Sequence, residues 1–235
     1  MCLFKIYFSN ITKSLWIKFF NMCGIFFTLS NQLNKKSCLS ALHKIDHRGP
    51  DGFDYLINDN YFIGHTRLSI RDLSDNSKQP KTSLCGKFII SYNGELYNPD
   101  FLLNKLKNKI KLKNPNSDTE ILVNYISIYG IDAALRDIEG MYSFIVIDKN
   151  KNLAYGARDK FGEKPMYIYR KNNDFAVSSD LSSIKKIYQK QSINNESVNM
   201  FFSMGYILSP NSIYKDIIKL RPGHIFTFKI KNCGN

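Results

Sequence analysis

Four short stretches of this 235-residue sequence carry side chains that could do chemistry together. Cys23 stands directly before an apolar run. Arg67 lies in Gly64-His-Thr-Arg-Leu-Ser-Ile70, Asn93 and Gly94 in Tyr92-Asn-Gly-Glu-Leu-Tyr-Asn98, and Asp118 in Ser117-Asp-Thr-Glu120. A thiol is a strong nucleophile once deprotonated. A guanidinium grips a carboxylate with two parallel hydrogen bonds, an amide beside a glycine offers N–H donors to an oxyanion, and a carboxylate can hold an ammonium. Together they could bind an amino-acid amide and cleave it. Each piece alone also has a plain structural reading. Asn-Gly is a common hairpin turn, an arginine at a strand end is often only surface, and Asp118 suits the positive end of a helix dipole.

The elements that must position these groups can be read from hydrophobic periodicity. Met22–Leu29 reads as a buried strand, with further strands at Asp54–Ile57, Tyr61–His65 and Phe88–Tyr92. Tyr142–Asp148, Leu153–Arg158, Pro165–Arg170, Phe175–Ser178 and Ile225–Ile230 complete the strand set. Helical spacing predicts helices over Ser37–Ile45, Phe101–Lys113, Leu181–Tyr188 and Glu196–Met204. A further helix opens at a Ser117–Glu120 capping box and is stopped by Gly130. His47-Arg-Gly-Pro-Asp-Gly52 is loop chemistry, and Arg158 to Pro165 reads as a corner with Gly162 at the bend. Strand runs mixed with helix pairs, without βαβ alternation, predict an α+β fold.

Composition sets the outer limits. Hydrophobic residues make up 43% of the chain, which is globular, and no apolar run is long enough to span a membrane. The formal charge of +13 comes from lysines scattered along the chain without a dense block, so we read a basic solvated surface and expect no nucleic-acid partner. Five dispersed cysteines and four histidines show neither CxxC pairs nor zinc spacing, which predicts free thiols, no metal site and a cytoplasmic location. Residues 1–21 differ in character, with three lysines, no acid and many aromatics. They lack the core and cleavage site of a secretory signal, although a basic helix there could touch a membrane surface.

Seven motifs occur in an order that resembles class II glutamine amidotransferases: Met22-Cys-Gly-Ile, His47-Arg-Gly-Pro-Asp51, Arg67-Leu-Ser-Ile70, Asn93-Gly-Glu-Leu-Tyr-Asn98, Ser117-Asp-Thr-Glu120, Gly140-Met-Tyr-Ser-Phe144 and Arg158-Asp-Lys-Phe-Gly-Glu-Lys-Pro165. The Arg67-Leu-Ser-Ile70 and Asn93-Gly-Glu-Leu-Tyr-Asn98 motifs are most like asparagine synthetase. The resemblance implies a four-layer αββα sandwich of two antiparallel sheets flanked by helices, the N-terminal-nucleophile hydrolase type. It implies L-glutamine as substrate and Cys23 as nucleophile, with the cysteine's own α-amino group, pKa about 8, as base and later proton donor to ammonia. Asn93 and the Gly94 N–H would form the oxyanion hole. Arg67 would bind the substrate carboxylate and Asp118 its ammonium, with Leu68, Ser69, Ile70 and Glu95 lining the pocket. Arg48 and a hydrogen-bonded His47 would order the loop beside the nucleophile.

The same resemblance sets expectations about the ends. Residues 22–228 would be the amidotransferase domain, 1–21 a leader outside the family, and 229–235 a tail. An internal Cys23 has an amide nitrogen that cannot act as a base, so we expect the start to be Met22, with that methionine removed. No Ser-Gly-Gly-x-Asp-Ser loop is present, so ATP and magnesium would belong to a synthetase domain or subunit acting as partner. This chain would need no cofactor of its own; a homodimer is an open expectation. The rival reading is an inactive amidotransferase serving as an interaction module.

Overall fold

A strand buried on both faces needs a partner layer on each, and this chain supplies several such strands. The computed structural model describes residues 22–30, 33–69, 78–172 and 174–230. Strand β1 (Gly24–Leu29) is buried throughout and pairs antiparallel with β3 (Tyr61–Arg67), which pairs with β2 (Gly52–Ile57). On its other edge β1 meets β9 (Asp174–Ser178), followed by β8 (Tyr167–Lys171) and β10 (Ile217–Lys219). The second sheet runs β11 (Ile225–Lys229), β7 (Leu153–Arg158), β6 (Gly140–Asp148), β5 (Phe88–Leu96), β4 (Lys81–Thr82), again antiparallel throughout.

Residue alternation sorts side chains between layers. Ile25, Phe27 and Leu29 of β1 face Ile89, Ile145 and Ile147 of the second sheet and form the core between sheets. The other face of the first sheet, through Phe26, Phe62 and Ala176, packs on α1 (Lys35–Leu42) and α5 (Leu181–Ile187). The outer face of the second sheet, through Ile90, Tyr92 and Phe144, packs on α2 (Pro99–Leu106), α3 (Asp118–Tyr129) and α4 (Ile131–Asp137). The order is helix, sheet, sheet, helix, as the α+β sandwich expectation has it. A last helix, α6 (Asn195–Met204), leads to the β10 turn. Among the described residues no helix is long and apolar enough to cross a membrane.

Three local expectations are corrected. The helix expected to Lys113 stops at Leu106. Lys109 and Ile110 both donate to the Leu106 carbonyl, and the Lys113 and Asn114 N–H groups go to Glu120 Oε1, at 2.6 and 3.1 Å, instead of continuing the helix. That diversion also leaves the capping box one-sided: Ser117 Oγ accepts from Glu120 N at 3.3 Å, but the Glu120 carboxylate serves the incoming loop and Lys81. Third, β5, expected to end at Tyr92, continues through Asn93, Gly94 and Glu95 with unbroken pairing from Phe88↔Asp148 to Leu96↔Gly140, which rules out the alternative reading of Asn93-Gly94 as a hairpin turn. Short α4, β4 and β10 carry too few residues to show a period and were not expected. Gly130 does end α3, at φ +83°.

Phe144 is fully buried in β6 against the helix layer. Phe144→Ala should lower stability by about 3–5 kcal/mol, read as a lower urea midpoint with an unchanged slope.

Candidate active site

The pairing of β1 with β3 brings the head of one strand to the tail of the other. Gly24 lies opposite Thr66, which sets Cys23 beside Arg67 and Leu68. The half-buried thiol meets both main-chain polar groups of one residue: Leu68 N–H donates to Sγ at 3.4 Å, and Sγ–H donates to Leu68 O at 3.7 Å. No side chain fits at Gly24, where a Cβ would sit 2.5 Å from Thr66 Oγ1.

The His47–Asp51 loop clamps this corner. Arg48 Nε donates to Cys23 O at 3.3 Å. Asp51 N–H donates to Arg67 O at 3.0 Å, while the Asp51 carboxylate accepts from Ser69 N at 2.7 Å. Gly49 is forced, since a Cβ there would lie 2.4 Å from Thr66 O. The ordering role expected of this loop falls to Arg48 and Asp51. His47 is exposed, and the buried histidine is His65, 1% accessible.

Strand β5 forms the opposite wall. Its odd-numbered residues bond to β6, a phase fixed at both ends by Lys149 N to Lys87 O and Tyr97 N to Glu139 O. The even-numbered main-chain groups therefore point to the other edge. There Tyr92 N and O are both taken by the Gln79 side chain, at 2.6 and 3.1 Å, and Leu96 N donates to Asp118 Oδ2 at 2.9 Å. Between them the Gly94 N–H faces the same edge. Gly94 has no room for a side chain, because a Cβ would stand 2.3 Å from Met141 O. Asn93 points between the sheets, 2% accessible, and its Nδ2 has no hydrogen-bond partner among the described residues.

These groups border one cavity of about 150 Å³. Cys23, Arg67, Leu68 and Ser69 line one side, and Asn93, Gly94, Glu95 and Asp118 the other. Ile70 lies outside the described residues. Met22 also lines the cavity, and His65, Gln79 and Lys164 are among the lining residues that the sequence reading did not select. Lys164 sits in the Arg158–Pro165 motif, whose legible signal was a charged pair in a Gly-Pro corner. Arg158 donates to the carbonyls of Gly162, Lys164 and Leu220, and the Asp159 carboxylate accepts from the N–H groups of Phe161, Glu163 and Lys164. The corner is architectural, as expected, and it also delivers a lysine. Among the described residues, no group of three metal-ligating side chains could hold an ion.

Burial pushes the Cys23 thiol up from its ordinary range, opposed by the Leu68 N–H and then by Lys164, Arg48 and Arg67. Burial also lowers Lys164 and Arg48. His65 is pushed down to about 3, chiefly by burial, against a hydrogen bond with the Tyr92 backbone and with the Arg67 charge adding to the shift. It is therefore neutral at physiological pH. The cavity thus gathers a thiol, the unbonded Asn93 Nδ2, the cations Arg67 and Lys164 and the carboxylates Glu95 and Asp118.

Two sheets between helix layers, with a cysteine at the head of a central strand, define an amidotransferase-type sandwich. The chain belongs to the glutamine amidotransferase domain family, whose sequence profile it matches over residues 22–234. It is 36% identical over 223 residues to an asparagine synthetase homologue, glutamine-hydrolysing type, of Methanocaldococcus jannaschii, covering 85% of this chain and 42% of that one. It is 33% identical over 185 residues to asparagine synthetase [glutamine-hydrolyzing] 1 of Bacillus subtilis strain 168, covering 79% and 29%. The chain thus spans less than half the length of these relatives. Among solved structures, the glutamine phosphoribosylpyrophosphate amidotransferase of B. subtilis shares the fold at TM-score 0.60 and 18% identity, over 89% of this chain and 50% of that one.

Because His65 binds its proton less readily folded than unfolded, the unfolded state gains a proton first as pH falls. Stability should be lost from about 6.5 down toward about 3, by up to about 1.4 kcal/mol per pH unit from this group. Urea midpoints across that window should fall less steeply for His65→Gln than for the unaltered chain.

Proposed function

We propose that this chain hydrolyses L-glutamine to L-glutamate and ammonia, with Cys23 as nucleophile. The observation that carries the reading is the unpartnered Asn93 amide across a cavity from the Cys23 thiol. A buried polar donor left unbonded is costly, and a transient oxyanion would satisfy it. The cavity, at about 150 Å³, is below the range of about 300–1,000 Å³ typical of drug-sized ligands, which favours a substrate of amino-acid size.

In this reading the Cys23 α-amine, once free, takes the thiol proton and Sγ attacks the side-chain carbonyl carbon of glutamine. Asn93 Nδ2 and the Gly94 N–H receive the negative oxygen. The amine returns its proton to the departing nitrogen, ammonia leaves, and water hydrolyses the thioester to glutamate. Arg67 binds the α-carboxylate and Asp118 the α-ammonium, with Leu68, Ser69 and Glu95 around them. None of these steps calls on a cofactor. By analogy with the relatives' names, the ammonia would feed a glutamine-dependent asparagine synthesis in the cytoplasm, and the ATP and magnesium of that amidation would belong to a synthetase partner. One observation favours an inert state for the unprocessed chain: Met22 borders the cavity, and its sulfur accepts from Lys164 Nζ at 3.0 Å.

The test is glutamate release by a chain begun at Met22, its methionine removed as confirmed by intact mass, beside Cys23→Ala. Release confined to the cysteine-bearing chain is expected, and equal release from both would defeat the proposal. Asn93→Ala should lower kcat about 100-fold or more. Arg67→Lys should raise KM for glutamine about 10- to 100-fold by losing the two-pronged contact.

A further inference from the structure

A buried cation with no anion demands an account, and Lys164 is one. The residue is only 7% accessible. Its ammonium donates to Met22 Sδ, a thioether and so a weak acceptor. Among the described residues it makes no ion pair: the adjacent Glu163 is exposed, and the Asp159 carboxylate is filled by three backbone N–H groups. An ammonium taken out of water and left unpaired is strongly disfavoured.

The fold nevertheless fixes it in place. Lys164 N–H donates to Asp159 Oδ2 at 3.0 Å, and Lys164 O accepts from Arg158 Nε at 2.7 Å, so the backbone is held on both sides of the side chain. The Cys23 thiol borders the same cavity as the ammonium, and its residue follows the Met22 whose sulfur the ammonium touches. Lys164 is the strongest of three cations acting on that sulfur, ahead of Arg48 and Arg67. Arg48 already serves the Cys23 carbonyl, and Arg67 stands at the end of β3 beside the substrate cavity. Facing Lys164 itself are Cys23, Arg48, Glu163 and Asp159. Around the cavity stand neutral His65 and the carboxylates Glu95 and Asp118.

We propose that Lys164 is a positioning residue for the nucleophile, its ammonium serving as counter-ion to the Cys23 thiolate. This rests on the reading of Cys23 as nucleophile. Lys164 keeps its proton throughout; the thiol proton goes to the Cys23 α-amine. The same cation disfavours a second positive charge nearby. Its contact with Met22 places it one residue from the Cys23 nitrogen, so it helps keep the freed amine neutral and able to accept a proton. One fixed charge thus favours both partners in the transfer.

The experiment measures iodoacetamide labelling of Cys23 against pH, resolved by peptide mass spectrometry, in the full chain and in the chain processed to Cys23. Lys164→Met should move the pH of half-maximal labelling upward by about one unit, Lys164→Gln should do the same, and Lys164→Arg should stay near the unaltered chain. In the processed chain Lys164→Met should also lower kcat/KM for glutamine about tenfold at pH 7 while KM changes less than about twofold. Replacing an unpaired buried ammonium by methionine removes a desolvation cost, so the fold should survive, and a thermal melt checks it. Labelling profiles of both neutral variants that overlay the unaltered chain would overturn the proposal. Should no chain release glutamate, the glutaminase reading fails, while the labelling comparison still decides the role of Lys164.

Discussion

The antiparallel register between β1 and β3 is the constraint on which the site depends. With Gly24 opposite Thr66, the residue before one strand and the residues after the other must meet. The thiol of Cys23 consequently rests on the peptide of Leu68, 45 residues away in sequence. A slip of one residue would turn Ile25, Phe27 and Leu29 from the core between the sheets to the helix side. The burial of those three side chains therefore fixes the position of the sulfur. The Asp51 and Arg48 contacts refine that placement; they do not create it.

Strand β5 does the complementary work by dividing its two faces and two edges. Tyr92 and Leu96 anchor it in the helix-side core, while Asn93 looks inward between the sheets. One edge is spent on β6. The other is occupied by Gln79 and Asp118 on either side of Gly94. A rigid, paired strand presents an amide and a main-chain donor with less freedom than a turn would, which suits groups that must be organised before charge develops.

The electrostatics follow from burial. A half-enclosed thiol resists ionisation, and the surrounding cations offset part of that resistance. The site combines a thiol whose ionisation burial resists with three cations, Lys164, Arg48 and Arg67, that act against that resistance. Neutral His65 adds a polar wall without competing as a proton acceptor. The family to which the chain belongs fits this division of labour, in which the fold supplies charge and geometry.

The sequence by itself determined what depends on neighbours a few residues apart. The apolar run at β1, the Ser117 cap and Gly130 stop of α3, the Gly162 bend, and the motif residues were all legible, because period, capping and turn chemistry are local. Tertiary structure decided what depends on distant partners. Asn93-Gly94 has the composition of a turn, yet nine paired positions with β6 and the packing of Tyr92 hold it in a strand. The helix after Phe101 ends early because Glu120, further along the chain, captures the Lys113 and Asn114 N–H groups. Nothing in sequence ranked His65 above His47, since only the closing of two sheets buries one and leaves the other in water. Lys164 lies 142 residues from Met22, and only the Arg158–Asp159 corner brings its charge back to the head of β1.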